Sequence, residues 1–126
     1  MPRLLNQEVI NDTAKLIMHR LIARQLAYNP SLIESARTSQ RKMSERFQNC
    51  AFVSEWDELL TLPPSQIRSL LASRNPEMKR LRITSPFMVA DGFDFTDPVL
   101  RRRIRHAAIR IAQRDADTST GSASTA

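Results

Sequence analysis

Acid–base chemistry at neutral pH needs a side chain that titrates near it, and this chain offers only His19, His106 and Cys50. His19 stands between Met18 and Arg20 inside a stretch of helical apolar spacing, where an isolated histidine is expected in a structural or surface role. Cys50, close to Phe52, reads as a small apolar residue, and one cysteine makes neither an internal disulfide nor a multi-cysteine zinc site. Neither metal nor cofactor is expected. The abundant chemistry is cationic. Nineteen Lys and Arg against thirteen Asp and Glu leave a net charge of +6, which favours an acidic partner: nucleic acid, an acidic protein or an anionic membrane surface.

The densest cations are Arg101, Arg102, Arg103, Arg105, Arg110 and Arg114, a set with no acid between its members. Arginine keeps its charge at any cellular pH and makes forked contacts with phosphate or carboxylate, so this stretch is the strongest footprint for an anionic partner. A second basic stretch, Arg37, Arg41, Lys42 and Arg46, interleaves a thin apolar pattern. Arg101 and His106 also have the Arg-to-His spacing of the helical HEPN-type ribonucleases, which they resemble. That resemblance implies an arginine on the RNA phosphate and a histidine moving a proton. Arg102 stands where such motifs place Asn, Asp or His. A third arrangement is a helix-turn-helix, with residues 64–73 as the first helix and 76–83 presenting Lys79, Arg80 and Arg82 to a groove.

The elements that must position these residues are helical. Only Gly92 and Gly121 supply glycine, too few for the positive-φ turns of a sheet protein, and 41% hydrophobic with 25% charged residues is the balance of a folding globular chain. From Leu4 to Tyr28, Ile10, Ala14, Ile17 and Leu21 fall on one stripe with Met18, Ile22 and Leu26 beside it, predicting a long amphipathic helix. Asn29-Pro30 ends it, and Ser31-x-x-Glu34 reads as a capping box for a helix to about Phe47. Ser54 with Glu55 and Asp57 predicts the start of a short helix carrying Trp56 as core anchor, and Pro63-Pro64 stops it and starts the next. Asn75-Pro76 and Asp97-Pro98 repeat one device, a capping side chain followed by a proline already holding helical φ. Phe93-Asp94-Phe95 reads as a loop pinned by its rings, and the last helix runs from Pro98 to about Arg114 with Leu100, Ile104, Ala107, Ala108 and Ile111 on its apolar face.

The expectation is an all-α, compact bundle of five to six helices with a long N-terminal helix: one domain over 1–114 and a disordered tail over 115–126, which is nearly all Ala, Ser, Thr, Asp and Gly. No apolar run reaches the length of a membrane span and no uncharged signal core opens the chain, so a cytoplasmic protein is expected. The long first helix offers more apolar surface than a small core covers, which leaves a homodimer open.

Trp56-x-x-Leu59-Leu60 followed by Leu81-Arg82-x-x-Ser85-Pro86-Phe87 resembles a segment of small uncharacterised all-helical bacterial proteins discussed as antitoxin or regulatory partners. The resemblance spans roughly residues 30 to 90 and implies a protein that works by binding. Arg82 is also placed to bond carbonyls left open at the end of its own helix while Phe87 plugs the core, a purely architectural role. The first expectation is therefore a non-enzymatic basic binding protein. The alternatives are a ribonuclease using Arg101 and His106, and a helix-turn-helix regulator.

Overall fold

Three proline-led signals mark helix starts, and each does so for the reason given above. The structure, a computed structural model, describes residues 6–124, with side chains through Asp117. Pro64 opens α4 (Pro64–Leu71), Pro76 opens α5 (Pro76–Leu81) and Pro98 opens α6 (Pro98–Ser124). The Asn75 and Asp97 side chains accept the N–H groups of Glu77 and Val99 at 2.8 and 3.0 Å, satisfying donors that have no partner within the helix. Asn6 does the same for α1 (Gln7–Tyr28) through Glu8 N–H. Leu4, expected in this helix, lies outside the described residues.

Two starts differ from expectation. Before α2 (Ile33–Arg46) the chain makes a 3-10 turn over Pro30–Leu32, and Ser31 donates to the Asn29 side chain rather than capping the helix. α3 (Ala51–Leu59) starts ahead of Ser54, from Cys50 in extended backbone with no side-chain cap; Ser54 sits inside it. Serine followed by acids is equally at home in a helix interior when its hydroxyl turns back on the preceding turn, as Ser54 does toward Ala51 O. α6 passes the expected stop at Arg114 and its backbone continues to Ser124, with Asp115 bonded to Arg74 at 3.1 Å. Of the tail expected to be disordered, residues 118–126 fall beyond the described side chains.

The result is all-helical: among the described residues there are six α-helices, three short 3-10 turns and no strand. Its main core gathers Ile22, Leu26, Ile33, Trp56, Ile67, Leu71, Met78, Leu81, Phe87 and Phe93. Trp56 is fully buried, and its indole N–H donates to Leu81 O at 3.1 Å and Thr84 Oγ1 at 3.2 Å, so the largest ring in the core leaves no orphan donor. Phe87 stacks edge-on against both Trp56 and Phe93. Gly92 turns the chain at φ +95, with Leu32 where a Cβ would stand.

α1 packs against both α4 and α6, so it is buried on more than the one stripe expected: Leu16 and His19 join Ile10, Ile22 and Leu26 inside. On α6 the buried positions are Ile104, Ala108 and Ala112, one turn apart, and the two alanines meet Ile10 in a second, smaller core with Ala14, Ile17 and Ile109 at its edge. Small residues at this contact bring the two helix backbones close. Among the described residues, no helix is long and apolar enough to cross a membrane.

Candidate functional site

The close approach of α1 and α6 leaves a groove of about 520 Å³ on one side of their contact. α1 contributes Asn11, Ala14, Lys15 and Met18, positions three and four apart that share a helix face. α6 contributes Arg101, Arg102, Ile104 and Arg105, and Met88 enters from the 3-10 turn Pro86–Met88. Ile104 is buried and Ala14, Met18 and Met88 are half-buried, while the three arginines stand in solvent, so an apolar floor is rimmed by guanidinium groups. Among the described residues, no carboxylate lines the groove.

The α6 cations are those the sequence singled out. Arg101, Arg102, Arg103, Arg105 and Arg110 are exposed, and among the described residues none forms an ion pair. Arg105 meets only a neutral group, donating to the Gln7 side-chain oxygen at 3.5 Å. His106 is exposed but does not line the groove. Five residues along an α-helix turn through about 140° beyond a full circle, which aims the His106 and Arg101 side chains in different directions.

Of the other predicted cations, Arg37, Lys79, Arg80 and Arg82 are engaged within the fold, while Arg41 and Lys42 stay on the surface. Arg37 donates through Nε and Nη2 to Leu60 O at 3.2 and 2.8 Å and pairs with Glu34, so it closes the C-terminal end of α3. Arg41 is exposed and donates to Thr38 Oγ1, and Lys42 is exposed beside it. On α5, Lys79 lies 3.5 Å from Asp12, and Arg80 is held between Glu55 and Glu77, which raises its already high pKa. Arg82 is a correction to the expected basic surface. Only 3% exposed, it donates to Leu71 O and Ser73 O at 3.3 and 2.7 Å, capping the carbonyl end of α4 rather than that of its own helix. Its burial lowers its pKa, with Arg20 adding to the effect. The three cations a helix-turn-helix would present are thus each engaged within the protein.

Sequence reading missed the buried polar pair His19 and Ser85. His19 is fully buried; its Nδ1–H donates to Lys15 O at 2.7 Å, which leaves Nε2 to accept the Ser85 hydroxyl at 2.7 Å. Ser85 in turn accepts Phe87 N–H at 3.2 Å. Burial, the largest influence, lowers the His19 pKa to about 4. This has the connectivity of a nucleophile and base, yet Ser85 is 3% exposed and its hydroxyl is used in both directions, so no substrate reaches it. The pair ties α1 to the Ser85-Pro86-Phe87 turn. Gln40, also missed, is buried on α2 and donates to Val53 O and Asp57 Oδ1. Lys15, Met18 and Met88 were missed as groove residues because nothing local says which helix α1 will meet. Among the described residues no group of three or more His, Cys, Asp or Glu is placed to hold a metal ion.

No protein family, no curated protein and no solved structure matches the chain.

Proposed function

We propose that this protein is a non-enzymatic binding module that receives an acidic partner, an acidic protein or a nucleic acid, on the α6 arginines and the groove they share with α1. One observation carries the reading: six exposed arginines on one helix have no carboxylate partner among the described residues, while Arg37, Arg80 and Arg82 elsewhere are consumed by the fold. The α6 set is the densest group of unpaired cations among the described residues, and it keeps a positive potential there, which steers anions and holds carboxylate or phosphate in forked hydrogen bonds.

The test is a titration of fluorescent polyglutamate, single-stranded RNA and duplex DNA at several salt concentrations, on the native chain and on R101A/R102A/R105A. At least one probe binds with an affinity that falls steeply with salt, and the triple variant weakens it at least tenfold, about 1.4 kcal/mol. Binding that survives the triple variant unchanged contradicts the reading. The RNA recovered from the titration is intact; cleavage abolished by His106→Ala returns the chain to the ribonuclease alternative. The antitoxin-like or regulatory role implied by the Trp56 to Phe87 resemblance is the setting in which an acidic protein partner fits, and co-purification from the native cell identifies it. The same titration run in a sedimentation cell reads whether one copy or two binds.

A further inference from the structure

We propose that the occupant of the α1–α6 groove is an amphipathic acidic helix of a partner protein, seated with apolar side chains on Met18 and Met88 and carboxylates on Lys15, Arg101, Arg102 and Arg105. This rests on the reading above and narrows its partner. A phosphodiester backbone satisfies the rim but leaves the apolar floor without a match: single strands held without base readout stack on aromatic platforms, and among the described residues no aromatic ring lines this groove, while a duplex held by its phosphates alone makes no use of the floor. The floor instead offers two half-buried methionines over buried Ile104. Thioether side chains are flexible and polarizable, and they suit the irregular side chains of an amphipathic helix docking by i, i+3, i+4 and i+7 anchors. Outside the groove, Val89, next to Met88 in the chain, is 68% exposed and Val99, at the head of α6, is 52% exposed. Charge complementarity sets the sign of the partner, since every charged group lining the groove is a cation.

The experiment compares three probes of equal charge on the full chain: a helical peptide with Leu at i, i+4 and i+7 among Glu residues, the same composition scrambled so that no apolar face forms, and single-stranded RNA. The amphipathic peptide binds about tenfold tighter than the scrambled one, and both lose affinity in R101A/R102A/R105A. In M18Q/M88Q, which keeps the charge of the groove, the two peptides bind alike while circular dichroism and thermal midpoint show the fold retained. If the two peptides bind the native chain equally well, with the arginines required, the acidic-partner reading stands and the helix proposal falls. If RNA binds tighter than either peptide through the same arginines, the occupant is a nucleic acid and the proposal is overturned. If nothing binds in an arginine-dependent way, both fall together.

Discussion

His19 illustrates how a single buried side chain sets a measurable property of the whole fold. Its ring is neutral in the native state because burial lowers its pKa from 6.5 to about 4, while the unfolded chain takes up the proton near 6.5. The unfolded state therefore binds more protons below pH 6.5, and the native state loses stability as pH falls through that window. The loss reaches about 3 kcal/mol by pH 4 and is absent above pH 7. Urea unfolding across this range reads it directly, and His19→Gln removes most of the slope. A second contrast separates arginines that look alike in the sequence. Arg82→Ala strips Leu71 O and Ser73 O of a donor in a buried place and costs about 2 kcal/mol, whereas Arg101→Ala leaves stability within about 0.5 kcal/mol. Equal losses from the two substitutions would refute the division between structural and free arginines. The Leu81 to Phe87 segment belongs on the structural side: Leu81, Arg82, Ser85, Pro86 and Phe87 are all buried, so the motif that drew attention in the sequence describes how the core is tied together.

Helix starts were legible wherever one local effect decided them. Proline at a first helical position with Asn75 or Asp97 before it leaves the backbone little choice, and both starts appear where expected. The start of α3 was not legible, because Cys50 opens the helix through extended backbone geometry without any side-chain cap, while Ser54 imitates a cap from inside it. The apolar face of α6 was legible from its spacing, since Ile104 and Ala108 are buried as the pattern requires. The burial of α1 on further sides was not, because it depends on α4 and α6 both packing against it. That contact is also what shapes the groove, and Ala108, fully buried beside Ile10 and Ala112, keeps the helices close. Ala108→Leu forces them apart and costs roughly 1–3 kcal/mol in thermal unfolding, with loss of polyanion affinity exceeding that of any single arginine substitution. A stable Ala108→Leu variant that binds normally would mean that the groove does not depend on this packing.

At the scale of the molecule, composition alone announced a basic helical protein but not where its charge would be available. Charge summed over the sequence treats all nineteen Lys and Arg alike, and only the folded chain separates Arg37, Lys79, Arg80 and Arg82, which answer backbone carbonyls or carboxylates, from the α6 row that faces water. The second basic stretch, on α2, loses Arg37 to the end of α3 and keeps Arg41, Lys42 and Arg46 exposed, whereas α6 keeps its full set. Amide chemical shifts followed while polyglutamate is added tell these surfaces apart in one measurement. Perturbations confined to residues 11–18, 88–89 and 101–105, with α2 and α5 silent, are what the α1–α6 groove predicts. Shifts centred on Arg37 to Lys42 or on Lys79 to Arg82, with the groove unmoved, would contradict it.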